Sequence, residues 1–547
     1  MRRFPRVLSR RFFHAVSATI LGLATGVAFV LLFGPFERTY PNGDQAVLEI
    51  YTLHALHGKL LLGPYSQHLW HHPGPSYFYI LAPFYWLGGK TEISLYVAAL
   101  ALNLTAIAAA VAILAKYHDR FTAIGMCGLA ALYAVRGSEF FVNAWNPHIV
   151  VLWLVALVLL CALVIDGRIQ FLPAVAATAS FILQTHVAPG LVAIALMVVA
   201  TTKAAAAWIA QDRAQTRPIG RWLMVAALVC VAMWALPLAE QLFGEPGNLR
   251  SLYQFFVERQ HHPSLTDAGR AFARALSAPF DPTVTMAVER PLLAAGSGLS
   301  GPIAASQLLL LPLAAWLAAR RGAWLTATTC VLALSASLLG FVSVTRSQGM
   351  IEDHHVFWIS ALGLVNVLAL LSSCSAPILS TLFARLSFTL PIRYSPTILI
   401  ALLAALGVYG LLLVKSQYDR ALRTGAVVRA FTYGIEQYLE TDAVQRPLIH
   451  AAQVAWPEAA GVVLQLYKQG VPVTLDSHWT PIMGEQLAAT GHEDAEIVFA
   501  DLPLAASMTK DDRYKRLARH ANLFVFARRL GVNHQSSNLS SSTAFLQ

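Results

Sequence analysis

Eleven apolar runs, at or near the length that crosses a bilayer, decide what this chain folds into. They fall at roughly 13–35, 91–115, 121–137, 147–165, 170–185, 187–203, 221–241, 300–318, 324–344, 354–372 and 396–414. In hydrocarbon, a segment must satisfy its own backbone polar groups, which a helix of about 20 residues does. The expected class is therefore a polytopic all-α membrane bundle of about 11 transmembrane helices. Charged residues make up 12% of the chain, about half the share in ordinary soluble proteins. The first run is too long for a signal peptide, lacks a small-residue cleavage site before FERTY, and is followed by further spans.

Charge sets the expected orientation. With the basic N-terminus MRRFPRVLSRR in the cytoplasm, that side collects sixteen Lys and Arg against Asp119, Asp166 and Asp212. The opposite side, up to residue 353, holds ten basic and thirteen acidic residues. The positive-inside rule then puts the loop after the first span, and everything after residue 415, outside. The net charge of +10 belongs to this asymmetry and gives no reason to expect a nucleic-acid partner. The five cysteines, Cys127, Cys161, Cys230, Cys330 and Cys374, lie in spans or on the cytoplasmic side, so no external disulfide is expected.

Connections in membrane bundles are usually short, and two outer segments, 36–90 and 242–299, are not. The first carries Asp44, Glu49 and the histidines His54, His57, His68, His71 and His72. Its composition predicts a reaction chamber roofed by short helices at the membrane surface, QAVLEIYTLHALHG and the proline-interrupted aromatic stretch to Trp86. Asp44 follows Asn42-Gly43, so it either aims into the chamber or merely caps the helix that begins there. Arg136, Glu139, Asn143, Asn146 and His148 crowd the outer ends of the next two spans. They read either as loop polarity with a proline helix start or as a second acidic or amide group facing Asp44. His186 sits in a tight outer turn, where a polar side chain turns toward the bundle. The second segment carries Arg259, His261, His262, Arg270 and Arg274, with LTDAGRAFARAL as an amphipathic helix for a phosphate or a lipid headgroup. Arg346, Glu352, Asp353, His354 and His355 form a further cluster at a span boundary. A metal set of Glu352, Asp353 and His354 with first-loop histidines would need adjacent side chains to converge, which they rarely do.

After residue 415 charge rises and apolar runs shorten. RPLIHAAQ, GVPVTLD, AEIVFAD and NLFVFARR read as strands; WPEAAGVVLQLYKQG, PIMGEQLAATG and KDDRYKRLARHA read as helices. Residues 416–532 are thus expected to form a small extracytoplasmic α/β domain with a partly parallel sheet. Asp476 and His478 stand at a strand end, where open sheets place ligands. Residues 533–547 read as a disordered tail.

The early acidic residue in Asn42-Gly43-Asp44 after one basic-flanked span, followed by His72-Pro73 and the aromatics to Trp86, resembles the GT-C superfamily of integral-membrane glycosyltransferases. The nearest groups are the polyprenyl-phosphate-sugar enzymes, such as protein mannosyltransferases and aminoarabinose lipid A transferases. The resemblance spans about residues 13–415 and is best over 13–165. It implies a GT-C-like domain over 1–415 and a place in a bacterial plasma (inner) membrane. The donor would be a polyprenyl-phosphate-linked sugar, and the acceptor a glycan, lipid or protein on the outer face. Asp44 matches the acidic residue that activates the acceptor hydroxyl. Where several members have Asp-Pro, this chain has Asn146-Pro147, so a second acidic role would fall to Glu139. Arg346 stands where a contact to the carrier phosphate is expected.

Such a transfer needs a carboxylate to take the acceptor proton and cationic or donor groups to meet the leaving phosphate. Asp44, Glu49 and Glu139 are the catalytic candidates; His72, Asn146, His148, His186, Arg346, His354 and His355 are the substrate-binding candidates. A single attack inverts the anomeric centre, whereas retention would enlist Glu49 as nucleophile. Phosphate leaves readily, so no cofactor is required and a divalent metal is optional. A transporter or flippase of a lipid-linked saccharide is the competing class, although transporters keep their binding groups near the midplane.

Overall fold

The computed structural model describes residues 37–210, 219–258, 262–286, 298–374 and 395–530, with scattered positions in 26–34. The expected first span, the 211–218 linker, Arg259, His261 and the 533–547 tail lie outside or almost wholly outside the described residues. Two helices fold from the first loop, α1 (Gly43–Leu56) and α2 (Ser76–Leu87). The bundle follows as α3 (Glu92–Tyr117), α4 (Arg120–Arg136), the short α5 (Ser138–Val142), α6 (Asn146–Ile165), α7 (Leu172–Thr185), α8 (Gly190–Ile209) and α9 (Ile219–Phe243). The second long segment supplies α10 (Asn248–Glu258) and α11 (Leu265–Ser277). Then come α12 (Ser300–Arg320), α13 (Trp324–Thr345), α14 (Asp353–Val356), α15 (Ile359–Cys374) and α16 (Ser395–Thr424).

Among the described residues eight helices are long and apolar enough to span a membrane, with α14 and α15 counted as one. Of the eleven expected spans, the first lies almost wholly outside the described residues, and those at 121–137 and 170–185 are the shorter helices α4 and α7. Arginines at both ends hold α4 to 17 residues. The turn from His186 to Gly190 ends α7 after 14 residues. The bundle is organised around α6, whose sequence NPHIVVLWLVALVLLCALVI is apolar on every side and is buried almost throughout. A helix without a polar face belongs at the centre, and α3, α7, α8, α13 and α15 pack around it. By contrast α9, also apolar, is largely exposed along its length, as a lipid-facing helix is.

The C-terminal part continues through α17 (Ala426–Thr441), β1 (Pro447–Ala451), α18 (Trp456–Lys468), β2 (Thr474–Leu475), α19 (Thr480–Met483), β3 (Ala495–Ala500), α20 (Leu502–Met508), β4 (Lys515–His520) and β5 (Leu523–Arg529). The sheet order is β2-β1-β3-β5-β4. β1 runs parallel to β2 and β3, while β5 is antiparallel to β3 and β4. Two sequence readings are corrected here. KDDRYKRLARHA, expected as a helix, supplies β4, because a tight turn at Ala521, with φ of 49°, folds it back on the apolar strand LFVFARR. PIMGEQLAATG forms only a four-residue helix and a 3-10 turn, broken at Gly484 with φ of 121°. Helical propensity there yields to tertiary pairing.

This domain shares its core with the first loop. Ala46, Val47, Ile50 and Tyr51 of α1 pack in one cluster with Val428, Phe431, Ile449 and Val463. The approach is close: a Cβ on Gly461 of α18 would stand 2.5 Å from the Pro41 carbonyl oxygen. Gly43, at φ of 51°, starts α1 in a conformation that glycine adopts without strain, beneath Pro457. One face of α1 therefore docks on the C-terminal domain and the other is left for the bundle.

Candidate functional site

A cavity of about 420 Å³ lies between α1, a hairpin-like lid over residues 63–72, the start of α6, the α7–α8 turn, α10 and the segment 343–355. The lid is closed by backbone bonds from Gly63 N–H to the His72 carbonyl and from His72 N–H to the Pro64 carbonyl, both near 3 Å. Asn248, at the start of α10, pins it by accepting from His71 N–H at 2.7 Å and donating to the His71 carbonyl at 2.9 Å.

Asp44 lines this cavity, together with His72, Asn146, His186, Arg346, His354 and His355. Asp44 stands in the first turn of α1; the N-cap is Asn42, in extended conformation. The capping reading of Asp44 is corrected accordingly. Its carboxylate instead accepts a hydrogen bond from the Tyr65 hydroxyl. Burial raises the Asp44 pKa above the ordinary aspartate value, and the Tyr65 bond pulls in the opposite direction.

The histidines of the wall are oriented by backbone. His72 Nδ1 accepts from Val187 N–H at 3.1 Å, which fixes the neutral tautomer with its proton on Nε2. Burial, with His71 and His354 nearby, pushes the His72 pKa down to about 3, so it is uncharged at neutral pH. The ring of His186 packs edge-on against it, 4.9 Å between centroids, and its Nε2 lies 3.1 Å from the His354 carbonyl oxygen. Asn146 donates to the Thr185 carbonyl at 3.0 Å, joining the start of α6 to the end of α7. Arg346 ends α13 and is exposed at the cavity; among the described residues it has no ion-pair partner.

Three sequence candidates lie away from the cavity wall. Glu49, fully buried, accepts from Tyr85 Oη and Lys468 Nζ, both at 2.5 Å, on the side of α1 that meets the C-terminal domain. Glu139 pairs with Arg420 of α16. His148 is enclosed by the rings of Phe140, Trp145 and Phe357. Five residues along α1 amount to a full turn plus about 140°, which carries Glu49 away from the face that bears Asp44. The Glu49–Lys468 pair fastens the domain to that helix. Lys468→Met should cost about 3–5 kcal/mol, because it strands a carboxylate with no access to water. Glu49→Gln should cost less, since the Lys468 side chain is 20% exposed and can hydrate. Denaturation of the two purified variants checks that order.

Glu352, His354 and His355 bring one ligand atom each within 4.8 Å of one another. Glu352 Oε2 lies 3.3 Å from His354 Nδ1, while His355 Nδ1 accepts from Glu352 N–H at 3.2 Å. This group, rather than one including Asp353, could hold a divalent cation, with His355 offering Nε2 and other oxygens completing the shell. The rings of the adjacent His354 and His355 stand 4.2 Å apart between centroids.

Sequence reading missed Tyr65, Tyr51, Trp70 and Gln348. Tyr51 donates to the Ile482 carbonyl at 2.9 Å and its oxygen lies 3.1 Å from His71 Nε2, linking lid, α1 and C-terminal domain. No spacing rule joins residue 44 to residue 65; the one available signal was the aromatic density of the loop.

No protein-family model matches the chain, and no curated protein matches it. Solved structures do. The crystal structure of ArnT from Cupriavidus metallidurans bound to undecaprenyl phosphate superimposes with a TM-score of 0.52 at 14% identity, covering 93% of this chain and 97% of that one. The same protein in its apo state gives 0.51, again at 14% identity over 93% and 97%. The likeness is one of fold: a multi-pass helical bundle with a β-containing C-terminal domain.

Proposed function

We propose that the protein is a membrane glycosyltransferase that moves a sugar from a polyprenyl-phosphate carrier to an acceptor on the outer face, with Asp44 as general base. The observation that carries this reading is the pairing, in one cavity wall, of a single carboxylate with a cation that has no ion-pair partner. Among the described lining residues Asp44 is the one acid and Arg346 the one arginine. The similar solved structure holds undecaprenyl phosphate, and this cavity offers a path for such a chain. Leu191 and Ile194 of α8 line it and are 42% and 47% exposed, so the cavity offers accessible apolar surface along that helix.

In this account the acceptor hydroxyl gives its proton to Asp44 as its oxygen attacks the anomeric carbon. The carrier phosphate leaves with the bonding electrons and its growing charge is met by Arg346. His72 and Asn146 shape the wall between them as uncharged groups. Attack without a covalent intermediate inverts the anomeric centre, and Glu49, on the other side of α1, is out of reach as a nucleophile. The Glu352, His354 and His355 group would hold a divalent cation that adds positive charge near the phosphate when bound. The charge asymmetry of the loops supports an outward-facing cavity and C-terminal domain.

Tyr65 tunes the proposed base. Its hydrogen bond stabilises the ionised carboxylate, so Tyr65→Phe should raise the Asp44 pKa further. The acid limb of the kcat/KM profile then moves to higher pH, while turnover well above that limb stays within roughly a few-fold of wild type. An unmoved limb would detach Asp44 from the profile. The reading as a whole is tested by supplying purified protein with undecaprenyl-phosphate-linked sugars and following release of the carrier phosphate. Translocation of the lipid-linked sugar across vesicles without its cleavage would instead make the protein a flippase.

A further inference from the structure

The start of α18 brings the C-terminal domain up to Asp44 from behind. Its first turn reads Trp456-Pro457-Glu458, and proline suits that place because a helix start leaves its N–H groups unpaired in any case. Trp456 is partly buried and packs against the cluster that α1 shares with the C-terminal domain. Its indole reaches two places beside Asp44. A Cβ on Gly43, the residue before Asp44, would lie 3.8 Å from Trp456 Cη2 and 3.5 Å from Pro457 Cβ. The Tyr65 ring packs edge-on against the same indole, 6.4 Å between centroids at 79°, which is a favoured geometry for an aromatic pair.

Trp456 is itself supported from below. It stacks on Trp479, 6.0 Å between centroids and 18° from parallel. Trp479 is 1% exposed, and its Nε1 donates at 2.9 Å to the carbonyl of Ala451, the last residue of β1. The support of Tyr65 therefore has two parts. Its backbone bridges His71 within the lid, which places the residue but leaves its side chain a choice of rotamers. Among the described residues, Trp456 is the one aromatic ring packed against that of Tyr65. A change of rotamer would carry the phenol away from the carboxylate, and the indole opposes it.

We infer that Trp456 is a positioning residue for the proposed base: it holds the Tyr65 ring where its hydroxyl donates to Asp44. The C-terminal domain thus takes part in the site, although none of its described residues lines the cavity. The inference rests on the transferase reading for its effect on catalysis, and on the packing alone for its effect on Asp44. Without the indole the Tyr65 bond loosens. That bond favours the ionised carboxylate and burial favours the protonated form, so Asp44 should then take up its proton at higher pH. The other titratable groups of the wall are Tyr51, His68, His72, His186, Arg346 and the His354–His355 pair. On α18, Glu458 shares the first turn with Trp456, and Lys468 is paired with Glu49. Exchanging the indole for another uncharged side chain alters the charge of none of them.

The test uses the full chain in lipid nanodiscs and reads Asp44 directly, as the carboxyl infrared band that Asp44→Asn lacks, titrated against pH. Tyr65→Phe should raise the midpoint, and Trp456→Leu should raise it in the same direction and no further. Trp456→Phe, which keeps a ring against Tyr65, should restore most of the difference. On the Tyr65→Phe background, Trp456→Leu should add nothing. In transfer, Trp456→Leu should lower kcat/KM on the acid limb by roughly 2–10-fold, the worth of one aromatic pair, and leave the plateau nearly unchanged. If Trp456→Leu does not fold, Trp456→Met serves the same comparison. A purely structural Trp456 would lower the unfolding temperature and leave the midpoint of the folded protein where it was, and that result overturns the inference. A shift that persists in full without the Tyr65 hydroxyl overturns it equally. Turnover by Asp44→Asn near that of wild type would reject Asp44 as the base and leave the shift in its ionisation standing, so the two fail separately.

Discussion

Asp44→Asn should lower turnover by about 10²–10⁴-fold while expression, thermal stability and donor affinity stay near wild type. Asparagine has nearly the shape of aspartate, and its carbonyl can still accept from the Tyr65 hydroxyl. What it loses is the ability to take a proton. The structural contribution of Asp44 is small by comparison. It is not the N-cap of α1, and the cap position, Asn42, has no side-chain cap bond. A carboxylate in the first helical turn is worth roughly 0.3–1 kcal/mol through the helix dipole, a term that acts on stability rather than on the reaction barrier. Turnover per folded molecule, with carrier binding measured in parallel, separates the two roles.

Arg346→Ala should have the next largest effect, about 10²–10³-fold in kcat/KM for the donor, with little change in the acceptor KM. In the proposed reaction the guanidinium meets a phosphate already charged in the bound donor and more charged as the bond to the sugar breaks, so both donor binding and turnover should depend on it. A competing role exists. Arg346 is the C-cap of α13, where a cation favours the helix dipole by about 0.3–1 kcal/mol. Arg346→Lys keeps that charge but loses the bidentate fork, and should restore stability and part of the rate. An Arg346→Ala enzyme with unchanged donor dependence would move the phosphate elsewhere on the wall.

The membrane bundle was legible because hydrocarbon allows one solution to an apolar run of span length, and the charge asymmetry of the loops adds an orientation. Where the apolar run is cut short, as between Arg120 and Arg136, periodicity finds a helix without deciding whether it spans. The strands β1, β3 and β5 were readable as short apolar runs between turns. β4 was not, because KRLARH carries no alternation and becomes a strand only by pairing with β5. In the site, Asp44 stood out as an acid after a span, beyond a turn. Its setting did not, since Tyr65, Gln348 and the lid contact to Asn248 arise from tertiary closure. Glu49 illustrates the limit most plainly: sequence puts it five residues from Asp44 on the same helix, and only packing reveals that it faces Lys468 and the C-terminal domain.

The central claim is that Asp44 performs a sugar transfer in this cavity. Its most direct test is a single-turnover measurement with purified wild type and Asp44→Asn protein, each saturated with an undecaprenyl-phosphate-linked sugar that the wild type binds, in the presence of a membrane-lipid acceptor extract. The account expects carrier phosphate and glycosylated acceptor to appear in equal amounts with wild type. With Asp44→Asn, equally loaded with donor, both should appear at least about 100-fold more slowly. An Asp44→Asn protein within a few-fold of wild type would contradict it.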